Sequence, residues 1–163
     1  MTLNRLFITF GGSGLAPKAP GTVGSLAALI VGLLILQIVP IPTLFMLTLA
    51  ITVIGIFEIN KYEKDTGTHD DKSIVIDEVA GMWIALMFAL ATAKSMEYAY
   101  ANEIAIVGSF AAFRLFDIWK PSTIGTIDRK VKGGLGVMGD DILAGVAGGL
   151  LTVLLLVGID KVV

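Results

Sequence analysis

The chain is laid out as long uncharged blocks separated by polar stretches. Residues 19–57 contain no charge, a length sufficient for two membrane crossings at about 20 residues each. Pro40 and Pro42 interrupt that block, and proline disfavours a continuous helix and suits a tight turn. The pattern predicts a helix over about residues 22–39 and a second over about 43–57, paired as a helical hairpin. Residues 58–73 read as a polar loop. Apolar sequence resumes at Ile74 and, after the pair Asp77 and Glu78, is uncharged from 79 to 93. A fourth segment, 104 to about 116, is short for a full crossing and ends in Arg114 and Asp117. Residues 120–141 form a polar stretch rich in charge and glycine, and a fifth segment covers 142–159. These elements predict one all-α domain over residues 1–163, a polytopic helical membrane bundle of about four to five hydrophobic helices.

Composition supports the membrane reading. The chain has 163 residues, 55% hydrophobic and 16% charged, against roughly 25% charged in an ordinary soluble domain, and its mean hydropathy is +0.85. So short a chain has too little interior to hide that much apolar surface, so the surplus is expected to face lipid. A net charge of −2 gives no basic field for nucleic acid. The absence of cysteine excludes disulfides, zinc–thiolate sites and cysteine nucleophiles. The apolar run 7–10 is too short for a signal peptide and leads into glycines.

Lys and Arg placement then orients the bundle, because cytoplasmic loops carry the positive charge. With the prolines at a far-side turn, Arg5, Lys18, Lys61, Lys64, Lys72, Lys120, Arg129, Lys130 and Lys132 share one face, and Lys94 and Lys161 fall opposite. That bias predicts a cytoplasmic N-terminus. The same arrangement puts Asp70, Asp77, Glu78, Asp117, Asp128, Asp140 and Asp141 at or just inside the cytoplasmic face, so carboxylates converge on a polar site there.

Asp77 and Glu78 open a predicted helix, where acidic residues interact favourably with the positive N-terminus. A carboxylate pair at the membrane boundary is also costly to desolvate, and such residues are usually functional. Asp117 stands three residues before Lys120, one turn apart on a helix, which suits a metal ligand beside a cation that holds phosphate. The cluster from Asp128 to Asp141 combines Arg129, able to fork onto phosphate, Gly133 and Gly134, which let backbone amides approach an anion, and Asp140 and Asp141, which suit a hard cation such as Mg²⁺. A flexible basic loop meeting anionic lipid is the plainer reading of that cluster. The glycines at 11, 12 and 14 lack the Walker spacing and read as a turn bringing the chain into the membrane, able to line the site. Gly145 and Gly149 have helix-packing spacing. His69 is the single histidine, which argues against phosphatases that need a histidine pair, and its neighbours Asp70 and Asp71 leave it open to a polar site role.

Four blocks in order, GLAPKAPGTVGSLA (14–27), HDDKSIVIDEVAGMWIAL (69–86), FRLFDIWKP (113–121) and DRKVKGGLGVMGDDILAG (128–145), resemble the phosphatidylglycerophosphatase A family of bacterial membrane lipid phosphatases. The resemblance implies Mg²⁺-dependent hydrolysis of phosphatidylglycerophosphate to phosphatidylglycerol in a bacterium, and the chain's hydropathy with its Lys and Arg bias predicts the cytoplasmic (inner) membrane with the site facing the cytoplasm. It carries Asp77, Glu78, Arg114, Asp117, Lys120, Asp128, Arg129, Asp140 and Asp141 as site residues. The expected ligands of Mg²⁺ are Asp77, Glu78, Asp117, Asp128, Asp140 and Asp141, with Asp77, Glu78, Asp128 and Asp141 catalytic. Lys120, Arg129, Arg114, Gly133 and Gly134 are expected on the substrate phosphate. The competing class is a non-enzymatic membrane cation or lipid carrier using its boundary carboxylates, which would favour pseudo-symmetric halves that this sequence lacks.

Overall fold

The computed structural model describes residues 2–68 and 71–162, the Asp128 side chain excepted; His69, Asp70 and that side chain lie outside the described residues. The described residues are helical throughout their regular structure. A short helix α1 (Leu3–Ile8) and a 3-10 turn (Ser13–Leu15) precede α2 (Pro20–Leu36), α3 (Ile41–Thr66), α4 (Ile76–Ala93), α5 (Ala101–Trp119), α6 (Ser122–Lys130) and α7 (Gly134–Asp160). The helices α3, α4 and α7 are long and apolar enough to cross a membrane, and α2, of 17 residues, is a shorter apolar helix. Together with α5 they make the all-α membrane bundle expected from the sequence.

The proline turn holds: α2 stops at Leu36, and α3 starts behind Pro40 with Pro42 in its first turn. Two helix boundaries differ from expectation by more than one turn. The α3 helix continues nine residues beyond Phe57 through the stretch read as a loop, because Glu58, Lys61, Glu63 and Lys64 are good helix formers. It ends at Gly67, whose left-handed φ of 71° lets its N–H reach the Glu63 carbonyl at 2.8 Å. Likewise α7 begins at Gly134 rather than near 142, so Asp140 and Asp141 sit inside a helix, and the rest of the polar stretch holds α6. Glycines argue locally against helix, and tertiary contact overrides them here. The segment read as short, 104–116, belongs to the 19-residue α5, about 28 Å long at the usual helical rise.

The core is built around α4, thirteen of whose eighteen residues are buried. It touches α2, α3, α5 and α7. Trp83 ties it to α2 by donating its Nε1–H to the Ala28 carbonyl at 2.8 Å. Large side chains left exposed lie on the outer helices, including Ile30 and Leu34 on α2, Phe45 and Phe57 on α3 and Leu154 on α7, the surface that suits lipid.

Against α7 the approach is backbone to backbone. A Cβ on Gly145 would lie 2.8 Å from the Gly81 Cα, and one on Gly81 would meet the Phe113 ring at 2.5 Å. Both helices start from the same end of the bundle. Asp77 lies four residues before Gly81 and Asp141 four before Gly145, so each acid sits one turn above the crossing on the same side of its helix. The small-residue contact thereby brings the acids to one level.

Candidate active site

At that end of the bundle is a cavity of about 230 Å³. Pro20 and Gly21 reach it from the first turn of α2, Asp77 and Glu78 from the first turn of α4, and Asp117 and Lys120 from the end of α5. Gly136, Val137, Asp140 and Asp141 reach it from α7, and Asp71, Lys72 and Ile74 from the segment ahead of α4. The walls are thus the mouths of four apolar helices.

Asp77, Glu78 and Asp141 are buried, and each offers a carboxylate oxygen to a group lying within 4.8 Å of one another. Asp77 Oδ1 and Glu78 Oε2 are buried with no hydrogen-bond partner among the described residues. Like charges at this spacing and burial cannot all persist without a compensating charge. Hard oxygen donors in such a group suit Mg²⁺, so the residues fit that ion. Gly21 presses on the cluster from α2: a Cβ there would stand 2.5 Å from Glu78 Oε1.

Cations sit around the acids. Lys120 ends α5 in a left-handed conformation, φ 45° and ψ 56°, and its Nζ lies 2.5 Å from Asp140 Oδ2. Arg114 pairs with Asp117 one turn away and donates to Ser25 Oγ on α2 at 3.3 Å. It stands behind the cavity wall rather than in the lining. Arg129 is exposed on α6 and does not line the cavity, and Gly133 and Gly134 face α3 instead. The cavity therefore assembles Asp77, Glu78, Asp117, Lys120, Asp140 and Asp141, while Arg114 supports it from behind.

Sequence reasoning gave no site role to Lys72 or Ser25. Both lie inside the blocks that carry the family resemblance, 69–86 and 14–27, which was the available signal; the bond of Ser25 to Arg114, 89 residues away, was not legible locally. Asp71 organises the segment bearing Lys72: its Oδ1 accepts from Ser73 Oγ at 2.7 Å and Ser73 N–H at 2.9 Å. Those bonds, with the Tyr62 hydroxyl at 3.4 Å, hold the Asp71 carboxyl below its ordinary range. The backbone then enters α4 with the Val75 N–H bonded to the Ile8 carbonyl at 2.9 Å.

The profile of the family described as Phosphatidylglycerophosphatase A matches residues 6–156. The chain is similar to phosphatidylglycerophosphatase A of Escherichia coli (strain K12), 42% identical over 83% of this chain and 73% of that protein. It is 38% identical to phosphatidylglycerophosphatase A of Haemophilus influenzae, over 88% of this chain and 82% of that protein. A protein of Bacteroides thetaiotaomicron provisionally named a phosphatidylinositol-3-phosphatase is also 38% identical, over 83% of this chain and 82% of that protein. No solved structure matches the chain.

Proposed function

The chain belongs to the phosphatidylglycerophosphatase A family, and from that premise we propose that it hydrolyses the terminal phosphate monoester of phosphatidylglycerophosphate, with Mg²⁺ as cofactor, to give phosphatidylglycerol and phosphate. The observation carrying this reading is the buried group of Asp77, Glu78 and Asp141 in one cavity with Lys120, at the end of an apolar bundle. Asp77, Glu78 and Asp141 would hold the ion, with Asp117, Asp128 and Asp140 completing the wider acidic set. Bound there, Mg²⁺ supplies Lewis-acid stabilisation of charge on the phosphoryl oxygens.

The chain's own groups do the rest. The cavity is smaller than a typical drug-sized site of roughly 300–1,000 Å³, so it takes the headgroup phosphate and leaves the acyl chains in lipid. Lys120 provides a point charge for the monoester, and Arg114 positions Asp117 from behind. A water attacks phosphorus in line as the bond to the glycerol oxygen breaks. A carboxylate of the cluster takes the water's proton, and the glycerol oxygen takes one proton from that same group as it departs, leaving as a hydroxyl and returning the carboxylate to its starting state. Bacterial relatives and the Lys and Arg bias support a bacterial cytoplasmic membrane with this cavity on the cytoplasmic side.

The test is phosphate release from phosphatidylglycerophosphate in mixed micelles as Mg²⁺ is titrated, with phosphatidylinositol 3-phosphate as the competing lipid. Asp77→Asn and Asp141→Asn are each expected to lose about a hundredfold or more in rate, the scale of a lost acid–base or charge-stabilising group. Undiminished activity in either variant would sink the site assignment. Faster release from the inositol lipid would move the substrate, and release indifferent to Mg²⁺ would remove the metal.

A further inference from the structure

The glycine pair at the start of α7, Gly133 and Gly134, is turned toward α3, and the contact there is specific. Asn60 Oδ1 on α3 accepts a hydrogen bond from the Gly134 N–H at 2.7 Å, across 74 residues of sequence. No side chain caps α7 locally, so Asn60 supplies from another helix an acceptor for one of the N–H groups that a helix start leaves unsatisfied. Gly133, at φ 76°, passes so close that a Cβ would stand 2.5 Å from the same Asn60 oxygen. A Cβ on Gly134 would lie 2.8 Å from the Ile56 Cα. One turn further on, Met138 packs on Gly55, its Sδ 2.9 Å from where a Cβ would be.

The glycine crossing sets the middle of α7 against α4, and these two contacts a turn apart hold its start, ahead of Asp141, at one height and rotation against α3. Asp140 and Asp141 project from the second turn of that same helix. A slip of either kind would carry Asp141 away from Asp77 and Glu78, and misplacement of about 1 Å costs on the order of a hundredfold in rate.

We propose that Asn60 is a positioning residue for the reaction, holding the start of α7 against α3 so that Asp141 meets the acids of α4. This inference rests on the reading of Asp141 as part of the active site. Asn60 is itself exposed, so replacing it opens no core cavity.

The experiment compares Asn60→Leu, which removes the acceptor, with Asn60→Asp, which keeps an acceptor oxygen and adds a charge favourable at a helix N-terminus. In N60L, kcat for phosphate release is expected to fall about tenfold with KM within about twofold, while N60D stays within about threefold of the parent. Amide hydrogen exchange over residues 134–138 gives a readout independent of turnover, expected about tenfold faster in N60L and near the parent rate in N60D. Unchanged kcat or unchanged exchange in N60L overturns the proposal, as does an N60D protein as impaired as N60L. If the unmodified protein released no phosphate, the proposed function would fall while the exchange comparison still decided whether Asn60 seats α7.

Discussion

Glu78 and Gly21 meet where the first turns of α4 and α2 adjoin, and a single methyl group separates two consequences there. In Gly21→Ala the new Cβ would stand 2.5 Å from Glu78 Oε1, so the carboxylate must move out of its group. Gly21 is half-buried in the first turn of α2, where the helix accepts alanine at least as well as glycine. Activity is therefore expected to fall more than tenfold while the thermal midpoint in detergent holds or rises; parallel loss of both would show that Gly21 serves packing alone. Asp71 gives a pH prediction. Its carboxyl is held low by Ser73, so its contribution is present above the ordinary value of 3.8 and is lost as pH falls through the depressed folded value. Exchange at the Ser73 amide should accelerate on that acid side, and no acceleration in Asp71→Asn should remain. Asp77, Glu78, Asp140 and Asp141 were legible in the sequence because carboxylates beside uncharged blocks are costly. Asn60 and Ser25 were not, since each acts on a group more than seventy residues away.

Helices in this chain end where capping ends them, not where charge begins. The α3 helix carries its hydrogen bonds through five charged residues to Gly67, so a change from apolar to polar sequence marks the membrane surface and leaves the helix intact. Sequence reading located the spans and the proline turn because burial in lipid demands long apolar runs. It shortened α3 because a charged stretch was read as loop although its residues are good helix formers, and α7 because propensity carries no information about which glycines will be packed. The crossing of α4 and α7 shows what those glycines do. Gly81→Ala would drive a Cβ into the Phe113 ring at 2.5 Å and into the Asp141 carbonyl. Overpacking of this kind costs about 1–3 kcal/mol, so the thermal midpoint should drop together with activity. A fully active and equally stable Gly81→Ala protein would mean that the helices do not cross there.

At the scale of the whole molecule, the alternation of α2, α3, α4, α5 and α7 leaves the acidic cavity at one end and Ser95, Glu97, Tyr98 and Asp160 at the other. With no native cysteine, single replacements report the orientation directly. Lys130→Cys should react with a membrane-impermeant maleimide only from the cytoplasmic side, and Ser95→Cys only from the opposite side; labelling of both from one side would refute the arrangement. The burial of α4 also bears on how the protein is made. This helix leaves the ribosome ahead of α5 and α7, which later cover it, and its first turn brings two carboxylates to a bilayer that holds no partner for them. Its final seating must wait for the last helix to arrive. A chain stopped short of α7 would leave the face of α4 around Gly81 open to lipid and the acidic group without its third carboxylate, so the core and the cavity are completed together, by the last helix made.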